Sequence, residues 1–159
     1  MDTKRLYEED FVLWSKHQVE ALRAAAHSGS NQQLDWDHLA EEIEDLGRSE
    51  RDAVRSQIRR IIEHFLKLAY SPAEQPRFDW MASIVEARAT LGDKISATLR
   101  RDAEAMLPKL YHDGRRLAEL SLRACGEDKA AEGLPQSCPY SLDDICREDW
   151  YPERLGGKP

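Results

Sequence analysis

From Leu34 to Tyr70 the chain holds one helical hydrophobic pattern that no proline interrupts, and this stretch constrains the fold more than any other. Leu39, Leu46, Val54, Ile58, Ile61, Phe65 and Leu68 recur at the three- and four-residue steps that put side chains on one face of an α-helix. Beside them Trp36, Ile43, Glu50, Gln57 and His64 stand seven apart, almost two helical turns, and form a slowly drifting column. The last three are groups that water would solvate, set in or beside a core. Each needs a partner there, whether another side chain, a ligand, a metal or a second subunit. A helix of about 35 residues is ~52 Å long at 1.5 Å per residue, too long to be covered by one small bundle. It is expected to project from the bundle or to pair with a second copy.

The signals at its ends agree. Asp35 can accept bonds from the free amides of the first turn, Leu34 and Leu39 are spaced for a hydrophobic staple, and Ser71, Pro72 and Pro76 terminate the helix. Gly47 is the weak point, costing up to ~1 kcal/mol relative to alanine, and is where a bend would fall. Glu44 with Arg48, Arg59 with Glu63 and Glu63 with Lys67 are spaced for ion pairs on the exposed side.

Three further helices flank the long one. Tyr7, Phe11, Trp14, Ala21 and Ala25, with Gln18 in the one polar slot, predict a first helix over residues 7–25, stopped by Gly29, Ser30 and Asn31. Asp79 is the expected cap of a third, striped by Trp80, Ile84, Ala87, Leu91 and Ile95, with a break near 96–98 where Ser96 and Thr98 offer a fresh cap. The fourth carries Leu99, Ala103, Met106, Leu110, Leu117 and Ala124. Pro108 is expected to kink it and Gly126 to end it. Periodicity then lapses until Cys138, Pro139 and Tyr140, after which Ser141 and Asp144 form a capping-box variant before a short helix over 142–148. Trp150, Tyr151 and Pro152 are expected to fold back, because two aromatic rings are costly to leave in water. The fold class is therefore all-α, an up-and-down bundle of four main helices with one very long helix and a short C-terminal helix. It is read as a single domain over 1–155 with a disordered tail over 156–159.

Composition narrows the class. A chain of 159 residues should bury roughly 68–70% of its unfolded surface. The net charge of -7 argues against wholesale binding of nucleic acid. Residues 1–10 hold no apolar signal region, and no run approaches the ~20 apolar residues of a membrane span, so a cytoplasmic protein is expected. Cys125, Cys138 and Cys146 lack CxxC spacing and nearby histidines, which indicates neither a disulfide framework nor a zinc ribbon.

Tyr7 to Phe11 with Trp14, the block from Leu34 to Glu50, His64 to Lys67, and Cys138 to Tyr140 together resemble the bacterial family catalogued as domain of unknown function number twenty-nine. The resemblance covers most of the chain and implies an all-helical fold. It implies no reaction, and so assigns no catalytic residue. Ser96, Ala97, Thr98 and Leu99 stand where that family's pattern has a Ser-Pro-Ser-Leu-like loop.

The candidate binding residues are Glu50, Gln57 and His64, with Asp10, His17 and Gln18 of the first helix as an opposing shell. Carboxylates and imidazoles that converge from facing helices can hold a metal or a small ligand. Against this, Glu50 and His64 lie ~21 Å apart along one helix axis and cannot share one ion, and no Glu-x-x-His occurs. His38 and Glu42 have chelating spacing but fall on the acidic, solvated side. Polar residues at such positions more often set helix register. Arg48, Arg51, Arg55 and Arg59 form a basic stripe, read as a solvated face laced with acids rather than a nucleic-acid surface, since no aromatic residues interleave. Glu41, Glu42, Glu44 and Asp45 suit the helix dipole and solubility. No nucleophile arrangement or phosphate loop appears, so an enzyme is the minority reading, with cofactor and metal unassigned. The leading reading is a cytosolic binding or assembly module, with a homodimer or another protein as partner. The alternative is a metal-dependent or small-ligand bundle enzyme built on the polar column.

Overall fold

The computed structural model describes residues 2–29 and 33–156. Among these there are seven helices and no strand: α1 (Thr3–Glu9), α2 (Phe11–His27), α3 (Trp36–Tyr70), α4 (Arg77–Lys94), α5 (Ala97–Ala124), α6 (Asp128–Glu132) and α7 (Leu142–Cys146). The fold is an all-α bundle, and α3 is the long helix expected, 35 residues without a break. Ser30 and Asn31 of the expected first loop, and residues 157–159 of the expected tail, lie outside the described residues.

The predicted first helix is in fact two. Asp10 leaves the helical region (φ -150, ψ 82), ends α1 and caps α2, where its Oδ1 accepts the Leu13 amide at 3.1 Å. Its Oδ2 accepts the Thr98 amide at 3.0 Å, one of the free N–H groups at the start of α5. α4 begins at Arg77, so Asp79 sits in its first turn rather than at its cap. The break between α4 and α5 falls at residues 95–96, where Ser96 Oγ accepts the Leu99 amide at 3.3 Å. α5 continues through Pro108 and ends before Gly126, whose φ of 76 lets the Glu127 amide reach the Leu122 carbonyl at 2.9 Å. The aperiodic stretch after it contains α6, which the sequence reading did not anticipate. α7 carries the expected capping box of Ser141 and Asp144. At the expected tail, the Gly156 amide donates to the Ala69 carbonyl at 2.8 Å.

The chain divides into two compact units. The first, Met1–Val54 with Ile95–Asp102, holds α1, α2, the first part of α3 and the start of α5. Its buried apolar side chains are Leu6, Val12, Val19, Ala40, Val54 and Leu99. Here the sequence pattern misplaced the inner face of α3. Ala40, Gly47 and Val54 point inward, whereas Leu39 and Leu46 are 40% and 55% exposed. The cause is steric: a Cβ built on Gly47 would stand 2.5 Å from Ser15 Oγ of α2, so the helices meet at their smallest residues. The larger leucines are left one step round the helix.

The second unit, Arg55–Lys94 with Ala103–Pro159, holds most of the buried side chains. Ile58, Ile61, Ile62, Phe65 and Leu66 of α3 pack with Ile84 and Leu91 of α4, Tyr111 and Leu122 of α5, and Ile145 of α7, all fully or almost fully buried. The expected return of the C-terminal aromatics is seen. Trp150 meets Phe65 edge to face at 5.2 Å between ring centroids and Tyr140 at 6.0 Å.

Candidate functional site

On the first unit α3 presents Trp36, Leu39, Ile43 and Leu46 at steps of three, four and three, the spacing by which one helix seats another. Trp36 and Ile43 are half-buried and the two leucines exposed. Alongside them Tyr7 of α1 and Phe11 and Trp14 of α2 form a ring cluster, with centroids 4.8 to 5.5 Å apart. The three rings stand at steps of four and three in the sequence and stay together across the break at Asp10. The three rings, Ile43, Leu46 and Glu50 line a cleft of about 440 Å³, and Tyr7 is 51% exposed. The margin is acidic: Asp35 and Glu42 follow the seam on α3, Glu8 lies beside Tyr7, and all three are exposed. Counted from the sequence, this unit has 14 acidic and 8 basic side chains, a formal charge of -6 of the total -7.

The sequence-predicted residues are not gathered at one place. Asp10, His17 and Glu50 belong to the first unit, Gln57 and His64 to the second. Asp10 is buried in its capping role, His17 is exposed on α2, Gln18 is half-buried, and Glu50 is half-buried at the ring cleft. Gln57 and His64 are half-buried, and Gln57 Oε1 and His64 Nδ1 are buried atoms without a hydrogen-bond partner. Burial and the nearby Lys67 cation push the His64 imidazole down to about 4, with Glu63 opposing and Arg60 adding to the shift. One turn on, Lys67 is almost wholly buried, its Nζ 2.9 Å from Glu63 Oε1 and 5.3 Å from the Trp80 ring centroid. The spacing of that pair was legible, but it lies on the buried rather than the expected exposed side. The proposed pair of Glu44 with Arg48 is replaced by Arg23 with Glu44 at 3.0 Å and Arg48 with Asp45 at 3.1 Å. Among the described residues, no group of three or more His, Cys, Asp or Glu side chains is placed to hold a metal ion. None of the described helices is long and apolar enough to cross a membrane.

Arg88 was missed altogether. It is buried on α4 and donates to four backbone carbonyls of the C-terminal segment: Ile145 at 2.9 Å, Glu148 at 3.1 Å, Asp144 at 3.0 Å and Trp150 at 2.8 Å. Its guanidinium carbon lies 5.2 Å from the ring centroids of both Phe65 and Tyr151. A charge this well bonded is a structural clamp. Within the helical pattern the only signal was an arginine standing between Ala87 and Leu91 on the inner face.

An all-α bundle with an exposed apolar seam defines a class rather than an activity. The chain belongs to the family described as domain of unknown function DUF29, whose model matches residues 6–151. It is similar to a crystal structure of an alpha-helical protein of unknown function from Rhodospirillum rubrum, with 28% identity over 91% of this chain and 90% of that one and a TM-score of 0.76. No curated protein matches this chain.

Proposed function

We propose that this protein is a cytosolic binding module whose first unit receives an amphipathic helix of a partner protein, one with an apolar stripe and basic margins. The observation that carries this reading is the exposure of Leu39 and Leu46 in register with Trp36 and Ile43, with Ile43 and Leu46 lining one cleft with Tyr7 and Trp14. Covering a leucine is worth roughly 1.5–3 kcal/mol, and apolar clusters left open on a folded chain mark interaction sites. Charge selects the partner. Asp35, Glu42 and Glu8 border the seam in a unit of formal charge -6. Basic flanks complement that border, whereas a second copy of the same face brings acid against acid.

A three-heptad leucine and lysine peptide should quench or shift the tryptophan fluorescence saturably, and a leucine and glutamate peptide of the same pattern should not. Leu46→Ala should weaken binding about tenfold, in line with removal of a central anchor. Phe78→Ala, at an exposed apolar residue of α4 in the second unit, should leave it unchanged. Equal binding of both peptides, or no effect of Leu46→Ala, overturns the proposal. So does a stable dimer that Leu46→Asp dissolves, which would make a second copy the occupant.

A second reading, a small-ligand site on the polar column, is favoured by the unpartnered Gln57 Oε1 and His64 Nδ1. Gln57→Leu and His64→Leu separate it from a purely structural column.

A further inference from the structure

Between α2 and α3 of the first unit lies a separate cleft of about 310 Å³ that shares no lining residue with the aromatic seam. Its floor is Val12, Ser15, Val19 and Gly47, all buried. Its walls bring Lys16 and Arg23 of α2 to face Arg48 and Arg51 of α3, against the two carboxylates of Glu20 and Glu44. The lining thus has a formal charge of +2, inside a unit whose total is -6. Two residues of the arginine stripe, which by sequence reads as a solvated face, are here turned toward an opposing helix with cations of its own.

Three of these four cations have carboxylate partners, but the pairs are loose. Arg23 with Glu44 at 3.0 Å and Arg48 with Asp45 at 3.1 Å are exposed pairs, of the kind held by little net energy and free to exchange partners. Lys16 has no ion-pair partner among the described residues. Arg51 is ion-paired with Asp102, Nε to Oδ1 at 3.6 Å, too long for a hydrogen bond, and its buried Nε has no hydrogen-bond acceptor. A guanidinium held by so loose a pair can present its terminal N–H groups to an anion in the cleft that it lines. The apolar floor sets the rest of the ligand. Bare inorganic ions would gain nothing from Val12 and Val19, whereas a short hydrocarbon or aromatic body behind the anionic head would cover them. The volume is at the lower end of small-molecule sites.

The geometry points to this cleft as a binding site for a small organic anion, with a carboxylate or phosphate head held by Lys16, Arg48 and Arg51 and an apolar body on Val12 and Val19. The inference stands apart from the helix-binding seam, since neither set of residues enters the other.

Phenyl phosphate and benzoate, with benzylamine as the cationic counterpart, test it by amide NMR titration of the whole chain at low salt. The anions should shift the amides of Ser15, Lys16, Gly47 and Arg51 saturably, and benzylamine should not. Saturation by phenyl phosphate alone assigns a phosphate head, and saturation by both assigns either oxyanion. Arg51→Met should weaken binding about tenfold and Lys16→Met about threefold, the latter an exposed residue whose loss leaves the fold intact. Should Arg51→Met not fold, Lys16→Met carries the comparison. No saturable shift with either anion, an equal response to benzylamine, or a Lys16→Met titration that superimposes on wild type overturns the assignment.

Discussion

Gln57 and His64 set two different problems for the same helix. Gln57 can donate and accept, yet its Oε1 is buried with nothing to accept from, an arrangement that costs about 1–3 kcal/mol. If the column is structural, Gln57→Leu should therefore leave stability unchanged or raise it by about 1 kcal/mol in urea denaturation. Destabilisation would show that the amide has an occupant to satisfy. His64 adds a pH dependence of definite sign. Its folded pKa of about 4 lies below the ordinary 6.5, so between those values the unfolded chain binds a proton that the folded chain refuses. Stability is full above pH 6.5 and falls as the pH is lowered toward 4, and His64→Leu should flatten that part of the curve. An acid limb unchanged by His64→Leu would place the titration elsewhere. Arg88 is the contrasting case: equally polar and more deeply buried, but supplied with four carbonyls by a segment about sixty residues away in sequence. No local pattern announces such partners, which is why periodicity could find the polar column and not the clamp.

Among the elements, α3 shows what helical spacing can and cannot decide. Its length, its cap and its terminator followed from Asp35, Ser71 and Pro72, because those signals act through bonds to the nearest turn. Which edge of a wide apolar stripe faces inward depended on α2 instead. Gly47 read as a weak point in the helix, but it is the place where Ser15 fits. Gly47→Ala should gain up to ~1 kcal/mol of helix propensity and still destabilise the protein, since an added methyl against a fixed neighbour typically costs 1–3 kcal/mol. Ser15→Ala removes the hydroxyl and leaves the remaining contact at 3.4 Å, so the double variant should recover most of the loss. A double-mutant cycle in thermal or urea unfolding measures this coupling, and additive effects would show that the two residues do not constrain each other. The capping role of Asp10 was hidden for a related reason. An acidic residue suits a polar slot in a continuous helix as well as it suits a cap, and the bond to Thr98 that favours the cap crosses most of the sequence. α6 is only five residues long, too short for a period to register.

For the whole molecule, the sum of charges concealed their distribution. A net -7 on 159 residues is moderate, and it argued against polyanion binding when taken as an average. Divided between the units it is -6 and -1, and within the first unit the lining of one cleft is +2. Partner chemistry therefore became legible only once the fold had sorted the charges, although every charge was visible in the sequence. The same asymmetry has a consequence for stability. Like charges crowded on a small unit with few buried residues repel, and salt relieves that repulsion over a screening length that shrinks from ~30 Å at 0.01 M to ~3 Å at 1 M. Raising the salt should slow amide exchange in α1 and α2 severalfold while leaving α4 nearly unaffected, because local opening there exposes nearly neutral surroundings. Hydrogen exchange followed by mass spectrometry at the two salt concentrations reads this directly. Equal slowing in both units would mean that the salt acts through general exclusion from the surface, and the acidic margin would lose its claim to select a basic partner.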